Sequence, residues 1–182
     1  FLNKFLWLYL LVVVSIISFK EFSNLIKKKK KTEKNKILFY EFISILYLSF
    51  FIFIGYYLNK DDPFGLLFII LVCVFSDTGG YVVGKLVGGK KLTNISPNKT
   101  ISGSIGSFVF SIFPLIIFWI LFSDLNLNLI TENIKKNIFQ LIAISLFLSL
   151  VCQVGDLFIS YFKRQAKVKD TGSLLPGHGG LL

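Results

Sequence analysis

Methionine is absent from this 182-residue sequence, which also has one histidine, two cysteines and four prolines. Because Phe1 is no natural start residue and no Met is present, we expect the chain to be a fragment, and whether further helices precede it is left open. Cys73 and Cys152 lie in apolar surroundings, without the spacing of metal ligands and without a histidine partner, so packing roles are predicted for both thiols. This scarcity excludes a Cys/His metal site of the usual spacing.

Apolar residues, by contrast, are abundant. Hydrophobic residues make up 54% of the chain and include 21 Phe, more than a soluble domain of this length normally carries. The third of five apolar runs is short, and it reaches the roughly 20 residues of a membrane span only if the polar SDTGG and the YVVG after it pack against protein. No alternating barrel pattern is present, so the predicted fold class is all-α, a polytopic transmembrane helical bundle of about five spans. The predicted spans are Phe5–Phe19, Ile37–Leu58, Phe64–Phe75, Gly103–Phe122 and Ile138–Val154.

The first apolar run is predicted to be a retained helix, since no small-residue cleavage site precedes the Lys-rich segment. Of the 20 Lys and Arg, 16 fall in three segments that alternating spans place on one side of the membrane: Lys20–Lys36, Lys85–Lys99 and Lys163–Lys169. Short basic loops stay in the cytoplasm, so this side is predicted to be cytoplasmic. The cluster Lys27–Lys36 is interpreted as a topology determinant, with a substrate role left open.

The net charge of +10 does not indicate a nucleic-acid partner. No base-reading motif is present, and the apolar remainder of the chain excludes a soluble DNA-binding domain. Anionic lipid headgroups are the simpler partner.

Two acids, Asp77 and Asp156, stand at the ends of apolar spans on the predicted cytoplasmic side. Acids at membrane depth are costly unless partnered, which makes both functional candidates. A helix-end cap or an ion pair with a nearby Lys explains either acid equally well.

The stretch GKLVGGKK, Gly84 to Lys91, contains the start of a Walker A loop. Lys91 stands where Ser or Thr should bind magnesium, and no soluble strand–loop–helix unit surrounds it, so a P-loop is rejected. A weaker hypothesis survives, in which the glycines leave backbone N–H groups accessible and nearby lysines neutralise phosphates. The alternative is a mobile basic loop at the surface. The lysines concerned are Lys85, Lys90, Lys91 and Lys99.

The stretch SYFKRQAKVKDTGSLLPGHGG, Ser160 to Gly180, is here named the signature segment. It combines bases, the hard oxygen ligand of Asp170 and glycines that permit close backbone approach to an anion. Magnesium-bound polyphosphate needs such groups, because the metal takes one or two carboxylates together with phosphates and water. His178 could donate to a phosphate oxygen, although a lone His is more often structural.

The signature segment resembles that of the CDP-diacylglycerol synthases (phosphatidate cytidylyltransferases), which runs S-x-apolar-K-R-x4-K-D-x-small, then an apolar residue and H-G-G. Three further stretches also resemble segments of that family: SDTGGYVVGKLVGGKKL, SPNKTISGS and GDLFISYFKR. The likeness therefore covers roughly Phe64 to Leu182, and the first two helices resemble the family only in being apolar helices. The resemblance implies transfer of a cytidylyl group from CTP to phosphatidic acid, with magnesium (Mg2+) as cofactor. It also implies two domains, residues 1–63 with N-terminal transmembrane helices and a basic cytoplasmic loop, and residues 64–182 as a catalytic transmembrane region truncated at its C-terminus.

The resemblance further implies roles for individual residues. Catalytic roles fall on Lys163, Arg164, Lys169, Asp170 and His178. Substrate-binding roles fall on Asp77, Lys85, Ser96, Lys99, Thr100, Ser160, Lys167, Gly179 and Gly180. Metal binding falls on Asp170 and Asp156.

Three departures from the family pattern affect these roles. Ile159 and Ser102 stand where family members commonly carry acids. The family signature also continues into D-R-x-D, which would begin after Leu182 and would carry a metal-binding Asp. Whether the fragment as given has a complete metal site and is active by itself is therefore left open.

Two other functions remain open. A transporter or lipid-binding subunit could use Asp77 and Asp156 as ion sites, although a path of acids through the bilayer would then be expected. Another CTP-using enzyme could act on a different lipid phosphate. The expected partners are CTP, phosphatidic acid and membrane lipids, without nucleic acid and with a homodimer left open. The expected location is the bacterial inner membrane, with the active site facing the cytoplasm.

Overall fold

The computed structural model describes residues 3–28, 34–124, 136–168, 170–172 and 180, and the described residues form helices without a named strand. The predicted helical class is confirmed, because five helical segments are long and apolar enough to cross a membrane. The third span is longer than its apolar run, since the helix continues through SDTGG and YVVG. The helices are α1 (Lys4–Lys28), α2 (Lys34–Asp61), α3 (Pro63–Val87), α4 (Ile101–Phe110), α5 (Phe113–Asp124) and α6 (Ile138–Gln165).

The start and end of α3 follow from local sequence. The Asp62 carboxylate accepts a hydrogen bond from Gly65 N at 2.9 Å, and Pro63 supplies a first helical residue that needs no donor of its own. The helix ends before Gly88, whose φ of 63° is easily reached only by a residue without a Cβ. Gly88 N donates to the carbonyl of Gly84 at 3.1 Å.

The fourth predicted span consists of two helices, α4 and α5, separated by a turn at Ser111 and Ile112. Thr100 caps the start of α4, because its hydroxyl accepts from Gly103 N at 3.1 Å. Pro114 lies in the first turn of α5, where a missing N–H costs no helical hydrogen bond. The proline therefore fits a new helix start within an apolar run that predicted one continuous helix.

The chain divides into two compact units. Unit 1 comprises Phe1–Leu66 and Phe158–Leu182, and unit 2 comprises Leu67–Leu157. The predicted division at residue 63 follows a functional criterion and stays a prediction.

In unit 1, α1 packs against α2. The Trp7 indole N–H donates to Gly55 O at 2.9 Å, and the Ser23 hydroxyl donates to Glu41 at 2.6 Å. A buried cluster of Leu25, Ile26, Phe162 and Ala166 joins α1 to the end of α6. The signature segment thus begins on a helix end that is anchored in an apolar core.

In unit 2, the polar part of α3 is buried against other helices. Ser76 is fully buried, and its hydroxyl lies 2.8 Å from that of Ser149 on α6. Gly79 is also buried, against α4. The sequence predicted that SDTGG belongs to a span only if its polar residues pack against protein, and this packing meets that condition.

Candidate active site

A cavity of about 410 Å³ opens in unit 2, between α3, the loop before α4, α4 and α6. Most of its lining residues carry polar or charged side chains. They are Asp77, Gly80, Tyr81, Leu92, Ser96, Asn98, Lys99, Thr100, Gly103, Ser104, Ser107, Gln153 and Asp156.

Three charged side chains face this cavity. Lys99 Nζ lies 2.8 Å from Asp156 Oδ2, and the side chain of Asp156 is 61% exposed. Asp77, from α3, is also exposed. Two carboxylates and one ammonium leave the lining with an excess negative charge, which favours a bound cation, while Lys99 offers a charge-assisted donor to a phosphate oxygen.

The loop between α3 and α4 is held in shape by its own hydrogen bonds. Leu92 N donates to Lys99 O at 2.8 Å, and Ile101 N donates to Lys90 O at 3.0 Å. Between these pairs, Lys99 N donates to Ser96 O at 3.1 Å. The Ser102 hydroxyl donates to the carbonyl of Gly88. The loop therefore presents Ser96, Asn98 and Lys99 to the cavity from a tethered backbone.

Glycines allow α3 and α4 to approach closely beside the cavity. A methyl group at Gly106 would lie 2.8 Å from Gly79 O, and one at Gly103 would lie 2.7 Å from Gly80 O. Contacts between small residues are a common means of helix association in membranes. The glycines at this contact serve packing, and the N–H of Gly88 is already donated to Gly84.

A polar network that the sequence analysis missed leads inward from the cavity. Ser104 Oγ donates to Gln153 Oε1 at 2.5 Å, and Gln153 Nε2 donates to Ser149 Oγ at 3.4 Å. Ser149, Gln153 and Asp156 follow one another at i, i+4 and i+7 on α6. This helical spacing of polar residues within an apolar span was the available signal for Gln153.

The cysteines lie one helical turn from the two acids. Cys73 and Cys152, both half-buried, have sulfur atoms 3.2 Å apart and belong to α3 and α6. The predicted packing role agrees with this contact between helices.

The structure brings five of the predicted residues together at the cavity: Asp77, Ser96, Lys99, Thr100 and Asp156. Lys85 does not line the cavity, but its ammonium lies 5.6 Å from the ring centroid of Tyr81, and Tyr81 does line the cavity. Ser160, Lys163, Arg164, Lys167, Asp170 and Gly180 belong to unit 1. Lys169, His178 and Gly179 lie outside the described residues.

The proposed metal ligands Asp156 and Asp170 belong to different units, and Asp170 is exposed. Within the part of the chain that the structure describes, no three His, Cys, Asp or Glu side chains form a group that could hold a metal. The catalytic, substrate-binding and metal roles stay predictions.

The signature segment leaves α6 through a tight C-terminal turn. Lys167 has a φ of 56°, its N–H donates to Arg164 O at 3.1 Å, and Val168 N donates to Lys163 O at 3.1 Å. This pair of bonds is a Schellman motif, in which a Lys occupies the left-handed position that glycine usually takes. Thr171 follows, and its hydroxyl donates to Glu21 Oε2 of α1 at 2.8 Å.

Comparison with known proteins places these features in a family. A model of the cytidylyltransferase family matches residues 1–182. The phosphatidate cytidylyltransferase of Staphylococcus haemolyticus is 40% identical over 142 residues, which cover 77% of this chain and 50% of that protein. The protein of the same name from Staphylococcus saprophyticus is 40% identical over 155 residues, which cover 82% of this chain and 55% of that protein.

A third relative with this name, from Staphylococcus aureus, is 39% identical over 142 residues, covering 77% of the chain and 50% of the relative. The chain therefore spans about half the length of the curated relatives it matches. No solved structure matches the chain. Since the family model covers the whole sequence, the chain belongs to the cytidylyltransferase family.

Proposed function

We propose that this chain is the part of a membrane enzyme that transfers a cytidylyl group from CTP to phosphatidic acid, giving CDP-diacylglycerol and pyrophosphate. The observation that carries the proposal is the polar cavity of unit 2, in which Asp77, Asp156 and Lys99 meet among membrane-length helices. The relatives named phosphatidate cytidylyltransferase support the choice of reaction.

The chemistry requires little proton transfer by the protein. A phosphate monoester is mostly ionised at neutral pH, its second pKa being about 6, so its oxygen can attack the α-phosphorus of CTP without a strong base. A new P–O bond forms between the phosphatidate oxygen and the α-phosphorus. The bond between the α-phosphorus and the oxygen that bridges to the β-phosphate breaks, and pyrophosphate leaves with the negative charge. The protein has to align the two substrates and offset this moving charge.

Basic side chains would perform the second task. Lys99 is placed to donate to a phosphate oxygen in the cavity of unit 2. Lys163 and Arg164, at the end of α6 in unit 1, are proposed as further phosphate contacts. Ser96 and Thr100 are cavity hydroxyls that could donate to the same anion.

Magnesium is proposed as the cofactor. The cavity fits this ion, because magnesium is usually bound by one or two carboxylates together with substrate phosphates and water. Asp77 and Asp156, which both line the cavity of unit 2, would hold it there. Asp170, in unit 1, is proposed separately as a metal ligand. When bound, the ion would act as a Lewis acid on phosphoryl oxygens.

The proposed location is the bacterial inner membrane, with the cavity facing the cytoplasm. Five membrane-length helices support a multi-pass protein, and the concentration of bases in three segments favours the cytoplasm for that side.

The test is turnover of radiolabelled CTP by the full-length protein in membranes, with magnesium and a panel of lipid acceptors. We expect label in a lipid product when phosphatidic acid is supplied and none when diacylglycerol replaces it. If label appears only on a different lipid phosphate, that lipid replaces phosphatidic acid as the acceptor. Absence of label with every acceptor would overturn the proposed function.

A further inference from the structure

Glu21, on α1, is an acid that the family resemblance does not assign. It is 7% exposed, and its Oε2 accepts a hydrogen bond from the Thr171 hydroxyl at 2.8 Å. Thr171 is 8% exposed. Burying a carboxylate is costly unless hydrogen bonds compensate for lost water, so the contact with Thr171 contributes to holding this acid inside unit 1.

Two glycines of the signature segment approach the same carboxylate. A methyl group at Gly172 would lie 2.9 Å from Glu21 Oε1, and one at Gly180 would lie 2.5 Å from Glu21 Oε2. A side chain at either position would force the carboxylate or the backbone to move. Thr171, Gly172 and Gly180 therefore converge on one carboxylate of α1.

This contact fixes the far end of a short segment that carries functional candidates. The near end is fixed by the bond from Val168 N to Lys163 O at the end of α6. Asp170 is exposed and lies between these two attachment points, directly before Thr171. The backbone on either side of Asp170 is thus attached to the rest of unit 1.

We propose that Glu21 is a positioning residue for cytidylyl transfer, which acts by anchoring Thr171 and thereby holding Asp170 in place. The inference rests on the proposed function and extends it to a residue of the first helix. Glu21 acts through its hydrogen bond to the chain, without contact to the substrates.

The test compares variants of the full-length protein at equal membrane abundance. Glu21→Ala and Thr171→Val each remove the bond, whereas Glu21→Gln keeps an acceptor and Thr171→Ser keeps the hydroxyl. We expect kcat to fall about 10- to 100-fold in the first two variants, because a hydrogen bond to a charged group is lost. The conservative variants should retain most of the turnover, and the Glu21→Ala/Thr171→Val double variant should be no slower than the slower single variant, since both remove one contact.

A matched control is available in the same unit. Ser23 donates a hydrogen bond of the same kind to Glu41 of α2 at 2.6 Å, and this bond does not involve Thr171. Ser23→Ala should leave kcat close to the wild-type value. An equal loss in Ser23→Ala would show that the effect is general destabilisation of unit 1 and would overturn the positioning role.

Hydrogen–deuterium exchange of the peptide from Val168 to Gly172 supplies a readout that does not need activity. Exchange should be about 10- to 100-fold faster in Glu21→Ala and Thr171→Val, and nearly unchanged in Glu21→Gln and Ser23→Ala. Unchanged exchange in Glu21→Ala overturns the anchor. Faster exchange in the variants with unchanged turnover overturns the positioning role. If exchange is faster but the wild-type protein transfers no cytidylyl group to any lipid, the proposed function is overturned and the anchor remains established.

Discussion

At the scale of single residues, the ion pair between Lys99 and Asp156 defines the charged centre of the cavity. Asp156→Asn keeps the shape of the side chain and removes its charge. If the carboxylate contributes to magnesium binding, we expect turnover to fall about 10- to 100-fold and the magnesium requirement to rise. A magnesium titration of cytidylyl transfer checks this, with Asp61→Asn, at the end of α2, as the control.

Wild-type turnover and magnesium dependence in Asp156→Asn would remove this acid from the proposed metal site. The same assay applied to Asp170→Asn tests the ligand proposed from unit 1.

Arg164 tests whether the bases of the signature segment bind substrate or only set topology. A substrate contact predicts that Arg164→Gln slows cytidylyl transfer by about one to two decades, through loss of a charge-assisted hydrogen bond. A topology determinant predicts unchanged turnover, because the remaining bases still hold the loop inside. The measurement is the rate over a range of CTP and phosphatidic acid concentrations at equal membrane abundance, with Lys60→Gln as the control. Equal rates throughout would reject the phosphate contact.

At the scale of helices, the approach of α3 to α4 depends on glycine. Gly106→Ala would place a methyl group 2.8 Å from Gly79 O, so we expect overpacking to destabilise the protein by about 1–3 kcal/mol. Gly155 on α6 is the matched control, because a methyl group there meets nothing within 4 Å, and alanine favours a helix by about 1 kcal/mol. Thermal unfolding in detergent should show a lower midpoint for Gly106→Ala and an unchanged or higher one for Gly155→Ala.

The contact between α3 and α6 can be tested with the native thiols. Because the sulfur atoms of Cys73 and Cys152 lie 3.2 Å apart, mild oxidation should join them in a disulfide. Mass spectrometry of non-reduced digests should detect the linked peptide, and Cys152→Ser should abolish it. Failure to link the wild-type thiols under conditions that oxidise exposed thiols would contradict the packing of these two helices.

The apolar runs predicted the five spans because the bilayer imposes a minimum length on each helix. The turn at Ser111 and Ile112 was not predictable from hydropathy, since both helices that it separates are apolar. At the cavity, Asp77 and Asp156 were found because charge in a span is conspicuous. Ser104 was missed because a neutral polar residue outside such a pattern becomes informative only when its partner on another helix is known. Gln153 had a signal in its helical spacing from Ser149 and Asp156, and that signal was not used.

At the scale of the whole molecule, the spans and the distribution of bases predict a membrane orientation. Lys28 and Lys85, at the ends of α1 and α3, should face the cytoplasm, and Lys60, at the end of α2, should face the opposite side. Single cysteines at these positions, in a Cys73→Ser/Cys152→Ser background, can be labelled with an impermeant reagent in vesicles of known orientation. Labelling of Lys28→Cys and Lys85→Cys from opposite sides would contradict the five-span arrangement.

The left-handed backbone of Lys167 has a consequence for evolution of the protein. A side chain at this conformation costs about 1–2 kcal/mol, so Lys167→Gly should raise the free energy of unfolding by up to about 1 kcal/mol. The same change removes a base from the signature segment. If Lys167 binds substrate, the variant gains thermal resistance and loses turnover, and selection for catalysis would then have kept the less stable residue at a position whose backbone conformation favours glycine.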